Sequence, residues 1–169
     1  MRLTLDTAEE NKMPRILVAL LFFCLSMISI FSTTVKAEDQ MDIPRHRECS
    51  ECGMDRKAYG FSRMLVIFPD GKEVGICSLH CAVLVMESNK GEKVKALLVA
   101  DRNSHDLVPA EKAFWVLGGK KRGVMTMRAK WAFTTKEAAQ DFVKEYDGEL
   151  VTWEAALAAA KTDAMSKAR

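Results

Sequence analysis

Two closely spaced pairs of cysteines are the residues of this chain best suited to chemistry. The pairs are Cys49-x-x-Cys52 and Cys77-x-x-x-Cys81, and Met54 follows the first pair in the stretch CSECGM. Thiolates bind both Zn²⁺ and Cu(I), and an added thioether favours the softer Cu(I). We therefore expect a metal site made of sulfur ligands.

The spacing of the four cysteines is compatible with a single tetrahedral ion. A turn supplies Cys49 and Cys52, and the end of a strand followed by the first turn of a helix supplies Cys77 and Cys81. Two disulfides are the alternative, because an even number of cysteines in an exported chain commonly pairs. Bridges that close only two or three residues add little loop entropy, which argues against bridges within each pair. Bridges between the two pairs remain an alternative to the metal. His80 lies within the second pair and is a further candidate ligand.

Three methionines are not explained by packing alone. Met54 lies in a polar loop, and Met125 and Met127 share one face of the segment 122–134, which alternates as a strand does. One of these last two side chains could point towards the cysteines. One thiolate with one or two thioethers suits Cu(I) better than zinc. The residues alone leave open a Cu(I) site, a four-cysteine zinc site, and methionines that only fill the core.

An apolar run near the amino end predicts export. Residues 16–31 are apolar and follow basic residues, and Val35 and Ala37 suit the small positions before a cleavage site. We assign residues 1–37 to a signal peptide or, because the run is near the shortest that crosses a bilayer, to an uncleaved membrane anchor. Both readings place the remainder of the chain outside the cytoplasm, in the periplasm or its equivalent.

Composition and motifs argue against several functions. The chain carries 25 Lys and Arg against 23 Asp and Glu, and no basic face with interleaved aromatics is evident, so no nucleic-acid partner is expected. The sequence has no Gly-rich phosphate loop and no pattern of serine, histidine and carboxylate. A thiol-disulfide oxidoreductase would place Cys49-x-x-Cys52 at the start of a helix. Gly53 follows instead, without an apolar helical run, so we do not expect an enzyme.

Periodicity predicts the elements that position the cysteines. Residues 38–48 are polar and are interpreted as a tether. Two β-rich runs then flank Pro69-Asp70-Gly71, a turn sequence in which Pro presets one dihedral angle and Gly supplies a positive one. A helix that starts after Ser78 and stops at Gly91 completes a strand-strand-helix unit, assigned to residues 49–91 together with the cysteine turn.

A second unit of the same plan is assigned to residues 92–160. Thr134 followed by Glu137 predicts a capping box at the start of its helix, and a last helix begins at Thr152. Residues 161–169 are interpreted as a frayed tail. The fold class is α+β, with two tandem strand-strand-helix units. The strands predicted for the second unit cover residues 94–100, 112–119 and 122–134.

The ordered series of motifs resembles the NosL family of nitrous oxide reductase accessory proteins. Across about residues 48–148 the chain contains, in the family's order, CSECGM, GFSRMLVIFPDGKEVGICSLHCA, VADRNSHDLVPAEKAFWVLGG and MRAKWAFTTKEAAQDF. The resemblance implies two strand-strand-helix units akin to the amino-terminal region of the NosL and organomercurial lyase group. It also implies a Cu(I) chaperone outside the cytoplasmic membrane that delivers copper to an ABC-type maturation complex or to nitrous oxide reductase.

The resemblance further implies a ligand set for copper. Its members are Cys52, Met54 and Met127, with Met125 as the substitute for Met127. The remaining candidates, which this set does not need, are Cys49, Cys77, Cys81 and His80. Cys52 together with Cys77-x-x-x-Cys81 resembles the signature of small heavy-metal-binding domains. A structural zinc module and a general heavy-metal-binding protein are therefore the alternatives to a copper chaperone.

Overall fold

The computed structural model describes residues 40–90 and 92–167. The predicted signal or anchor at residues 1–37 and the predicted helix stop at Gly91 lie outside these ranges. Within them the chain forms seven strands and four α-helices. No helix of the described part of the chain is both long and apolar enough to cross a membrane.

The first sheet contains four antiparallel strands in the order β2-β1-β3-β4. Gly71 adopts φ +87° in the turn between the first two strands, and the Lys72 amide donates to Asp70 Oδ1 at 2.9 Å. The predicted hairpin at Pro69-Asp70-Gly71 is therefore confirmed. The strands are β1 (Met64–Ile67), β2 (Glu73–Ile76), β3 (Ala96–Ala100) and β4 (Leu107–Pro109).

The second sheet contains three antiparallel strands in the order β6-β5-β7. A short 3₁₀ helix, Ala110–Lys112, leads from the first sheet into it. The predicted strand at 94–100 thus pairs in the first sheet, next to β1, and not with the other strands of the second unit. The strands are β5 (Phe114–Leu117), β6 (Lys130–Phe133) and β7 (Glu149–Val151).

The α+β fold class is confirmed, and both strand-strand-helix units are present. In the first unit β1 and β2 precede α2, and in the second β5 and β6 precede α3. The longest helix, α4, packs against α2 and extends to residue 167, beyond the predicted start of a frayed tail at 161. The helices are α1 (Asp42–Arg45), α2 (Leu79–Ser88), α3 (Lys136–Tyr146) and α4 (Trp153–Lys167).

Two apolar cores lie beneath these sheets. One joins the first sheet to α2 and α4 and includes Met64, Ile76, Val83 and Trp115, all buried. The other packs the second sheet against α3 through aromatic side chains, among them Phe133 and Phe142. Each fully buried aliphatic or aromatic side chain contributes about 1.5–3 kcal/mol, so burial in these cores is the dominant favourable contribution to folding.

The structure corrects the prediction for residues 122–134. Only Lys130–Phe133 is a strand, and residues 118–129 form a loop that carries both Met125 and Met127. Met125 adopts φ +56°, which a strand residue does not, and the Thr126 hydroxyl donates to the Arg128 carbonyl at 2.8 Å. These local turns override the alternating pattern of the sequence.

The cap of α3 lies one residue later than predicted. Thr135 is the N-cap, and its hydroxyl accepts from the Ala138 amide at 3.2 Å. Thr134 donates instead to the buried carboxylate of Asp101, through its amide at 2.6 Å and its hydroxyl at 2.9 Å. The carboxylate therefore holds Thr134 outside the helix.

The segment interpreted as a tether is part of the fold from residue 42 onward. Helix α1 buries Asp42 and Ile43, although it is only four residues long. The Asp42 carboxylate lies between two arginines that are themselves buried. Arg56 Nη2 donates to its Oδ2 at 2.7 Å, and Arg63 Nη2 donates to its Oδ1 at 3.0 Å.

The two arginines also bind backbone carbonyls that belong to different parts of the chain. Arg56 donates to Met64 at 2.9 Å and to Ile76 at 3.1 Å, and Arg63 donates to His105 at 2.6 Å. Every charged group of this buried cluster therefore has a partner, as burial requires. Burial raises the pKa of Asp42, but the hydrogen bonds and charges of Arg63 and Arg56 outweigh it and leave that pKa lowered.

The substitution Asp42→Asn should destabilise the protein strongly. It removes the one negative charge between two buried guanidinium groups, and breaking such a pair costs about 3–5 kcal/mol. Chemical denaturation followed by circular dichroism would measure the loss in the free energy of unfolding. Because the folded-state pKa of Asp42 is lowered, its contribution is complete above the ordinary value of 3.8 and is lost as the pH falls below it.

A matched control is Asp141→Asn, which breaks an exposed pair with Lys144 at 2.8 Å. This change should cost less than about 1 kcal/mol, because water screens exposed pairs. Equal effects of the two substitutions would show that the buried cluster is not a structural centre.

Candidate metal centre

The four cysteines of the described chain meet in one cluster. Their Sγ atoms all lie within 4.8 Å of one another, and all four are free thiols. Cys49, Cys77 and Cys81 are at most 3% exposed, whereas Cys52 is exposed to solvent. The two pairs singled out in the sequence therefore form a single site with one open side.

A tight turn, which we call the cysteine knuckle (residues 49–54), places the first pair. The Gly53 amide donates to the Cys49 carbonyl at 2.8 Å, and the Cys49 amide donates to the Met54 carbonyl at 2.9 Å. Gly53 adopts φ +73°, a conformation that residues with a side chain rarely occupy. The glycine thus lets the chain reverse so that Cys49, Cys52 and Met54 face the same side.

The junction of β2 and α2 places the second pair. Cys77 directly follows β2, and Cys81 is one helical turn later in α2. The Ser62 hydroxyl donates to the Cys77 carbonyl at 2.8 Å, and Ser78 is the N-cap of α2, as predicted, but makes no side-chain cap hydrogen bond. This strand-to-helix turn is the arrangement expected to aim both sulfurs at the knuckle.

The distances between sulfurs suit a bound ion. Cys52 and Cys77 are 3.5 Å apart, Cys77 and Cys81 3.7 Å, and Cys81 and Cys52 3.8 Å. A tetrahedral ion with sulfurs about 2.3 Å away separates those sulfurs by about 3.8 Å. Met54 Sδ lies 3.9 Å from Cys77 Sγ and adds a thioether to the group. The cluster is therefore close to the size that a d¹⁰ ion requires.

The thiols share their protons unequally. The pKa of Cys49 is strongly lowered because the thiols of Cys77 and Cys81 donate hydrogen bonds to its sulfur. The hydrogen bond to Cys49 raises the pKa of Cys77 to about 12, and hydrogen bonds to Cys49 and Cys77 also raise the pKa of Cys81. The three buried thiols thus titrate as one coupled group, in which hydrogen bonding favours loss of the first proton from Cys49.

The other predicted ligands have different places. Met125 is half-buried against the first core, and Met127, on the same loop, is fully exposed, so the structure does not bring it to the cluster. His80 is buried but is not among the side chains that share the sulfur site. It lines a small cavity with Trp115 and Lys130. Ligand roles for Met125, Met127 and His80 stay predictions.

Sequence reasoning missed the residue that links the two halves of the site. Arg56 follows Met54 by two positions and binds the carbonyl of Ile76, the residue just before Cys77. No local pattern distinguishes this arginine from a solvated one. Its two flanking residues, Asp55 and Lys57, are both at least partly exposed.

An α+β fold with a four-cysteine cluster that is open to solvent only at Cys52 places the chain in the class of candidate metal-binding proteins. The family model of NosL matches residues 40–159, which is more than half of the chain, and the chain therefore belongs to the NosL family. No curated protein matches the sequence.

The fold is also similar to a solved structure. The crystal structure of the copper chaperone NosL from Shewanella denitrificans has a TM-score of 0.51 and 22% sequence identity. The match covers 63% of this chain and 87% of that chain. At this identity the similarity establishes a shared fold, in agreement with the family assignment.

Metal loading of the cluster should depend on pH. Cysteines bind metal as thiolates, and the raised pKa values of Cys77 and Cys81 mean that their protons must leave when the ion binds. The apparent affinity should rise by about tenfold per pH unit for each displaced proton and fall on acidification. Calorimetry in two buffers of different ionisation enthalpy would count the protons. Loading without proton release would contradict this description of the thiols.

Proposed function

We propose that the protein is an extracytoplasmic Cu(I) chaperone that delivers copper to the maturation machinery of nitrous oxide reductase. Membership of the NosL family supports this function. The observation that carries it is the contact between Met54 Sδ and Cys77 Sγ at 3.9 Å. A thioether beside thiolates adds affinity for Cu(I) and is a poor ligand for Zn²⁺.

The proposed chemistry is ligand exchange and not catalysis. Cu(I) has a closed shell, prefers sulfur and accepts low coordination numbers, so it can lose one sulfur ligand and gain another without a change of redox state. The buried cysteines shield the ion from water and oxidants. An acceptor that offers competing sulfur can then take the ion through a shared intermediate.

The proposed acceptor is an ABC-type copper-maturation complex or the reductase itself. Export by residues 1–37 would place the site on the same side of the membrane as such an acceptor. The chain would contact the membrane only if that segment stays uncut. We propose no role in nucleic-acid binding, because the net charge of the whole chain is only +2.

A structural zinc module is the second candidate. It is favoured by the three sulfur separations of 3.5, 3.7 and 3.8 Å, which match a tetrahedral four-thiolate site. The two candidates differ in what they require of Met54. A zinc site leaves this thioether as a packing residue, whereas the Cu(I) site uses it as a ligand.

Anaerobic titration of the full chain with Cu(I) and with Zn²⁺ would separate the candidates. Cu(I) should displace Zn²⁺, and Cys77→Ser should weaken Cu(I) binding by more than about tenfold, because losing a ligand costs at least as much as losing an outer-shell partner. Met54→Leu should weaken Cu(I) binding and leave Zn²⁺ binding unchanged. Met165→Leu, at a methionine that is 64% exposed on α4, is the matched control. Retention of Zn²⁺ against excess Cu(I) would favour the structural module.

The same titration on Met127→Leu would test the ligand implied by the family resemblance. A loss of Cu(I) affinity in this variant, but not in Met165→Leu, would mean that the loop 118–129 brings Met127 to the loaded site. Unchanged affinity would restrict the ligand set to the cysteines and Met54.

Delivery should be visible in a host that reduces nitrous oxide. Replacing the protein by its Cys77→Ser variant should lower the copper content of nitrous oxide reductase and cause nitrous oxide to accumulate, because the chaperone then carries less Cu(I). Metal analysis of the purified reductase and gas chromatography would measure these effects. A fully loaded reductase in a strain without the protein would exclude this acceptor.

A further inference from the structure

We propose that the four cysteines have two different tasks, an inference that rests on the proposed Cu(I) function. Cys52 is the ligand through which the ion enters and leaves. Cys49, Cys77 and Cys81 form an inner position that retains the ion between transfers. In such a site, one cysteine would determine how fast the ion is exchanged, and the other three would determine how tightly it is bound.

The first argument is the difference in exposure. Cys77 and Cys81 are 0% exposed and Cys49 is 3% exposed, all within the core beneath the first sheet. An acceptor protein cannot bring a sulfur against these atoms while the fold is intact. Cys52 is exposed, and it is the one thiol of the described cysteines that an acceptor can reach. Any shared intermediate must therefore include Cys52.

The second argument is the continuity of the sulfurs. Cys52 Sγ is 3.5 Å from Cys77 Sγ and 3.8 Å from Cys81 Sγ. An ion bound at the surface by Cys52 is thus already within reach of the inner thiols. It can pass inward by exchanging one sulfur at a time, which Cu(I) tolerates because two or three sulfurs suffice for it. No movement of a strand or helix is needed.

The third argument is the open space beside Cys52. A Cβ atom built on the next residue, Gly53, would meet no atom within 4 Å, and Ser50 and Glu51 are also exposed. At the same time two backbone hydrogen bonds between Cys49 and residues 53 and 54 hold the knuckle in place. The knuckle therefore presents Cys52 to a partner without releasing Cys49 from the core.

The experiment compares affinity with extraction rate in the full chain. Each protein is loaded with Cu(I) under anaerobic conditions, and affinity is measured by competition. The rate is then measured by stopped-flow absorbance with bathocuproine disulfonate, a bulky anionic chelator that is too large to enter the core. Ser50→Ala is the matched control, because it changes an exposed residue of the same knuckle and removes no sulfur.

We expect Cys52→Ser to lose less affinity than Cys81→Ser and to release Cu(I) at least about tenfold more slowly than the wild type. We expect Cys81→Ser to lose more than about tenfold in affinity and to release Cu(I) at least as fast as the wild type. Ser50→Ala should match the wild type in both quantities. Circular dichroism of the metal-free proteins checks folding, and Cys49→Ser replaces Cys81→Ser if the latter does not fold.

Two results would overturn the inference alone. Cys52→Ser could release Cu(I) as fast as the wild type, or it could lose more affinity than the variants of the buried cysteines. In both cases the wild type would still bind Cu(I), and the proposed function would stand. A wild type that takes up no Cu(I) would overturn the proposed function and the inference together.

Discussion

The structure depends on one buried carboxylate that lies between two buried guanidinium groups. Asp42 accepts from Arg56 and Arg63, and neither arginine is exposed. Three charges in the protein interior are stable only if each is paired and each remaining donor finds an acceptor. The arginines meet this condition with backbone carbonyls from separate segments of the chain, among them that of His105. The cluster of Asp42, Arg56 and Arg63 is therefore fully paired only when these separate segments of the chain come together in the fold.

This constraint reaches the sulfur site through Arg56. The guanidinium donates to the carbonyls of Met64 in β1 and Ile76 in β2, and its own backbone continues the cysteine knuckle. One end of the residue is thus fixed to the segment that carries Met54, and the other to the strand end that carries Cys77. The spacing between the two halves of the site is held by this side chain together with the hydrogen bond from the Ser50 amide to the Gly75 carbonyl at 3.0 Å. Apolar packing alone, which is not directional, could not hold it so closely.

The features that could be predicted from the sequence are those that depend on residues close together along the chain. The turn residues Pro69-Asp70-Gly71 were sufficient to predict the hairpin, because they fix local backbone angles. The spacing of Cys77 and Cys81 was sufficient to predict the second half of the site, because residues four apart lie on the same face of a helix. Asp42 and Arg56 were not predicted, since they lie 14 positions apart and each is a common surface residue type. The loop at 118–129 was missed for a similar reason: its turns form by side-chain hydrogen bonds that compete with the alternating pattern. The features that were not predicted therefore depend on polar contacts that form only in the assembled fold.

A site whose ligands are already assembled before metal binds restricts how it can release metal. The sulfurs of Cys52, Cys77 and Cys81 already stand within 3.8 Å of one another, so binding needs little rearrangement of the chain and loses little free energy to ordering. Under the proposed function, release of the ion depends on competition by another ligand at the exposed sulfur of Cys52. A Cu(I) chaperone with such a site would give up its ion when a suitable acceptor arrives and would retain it otherwise, which is the behaviour that a carrier of a reactive metal requires.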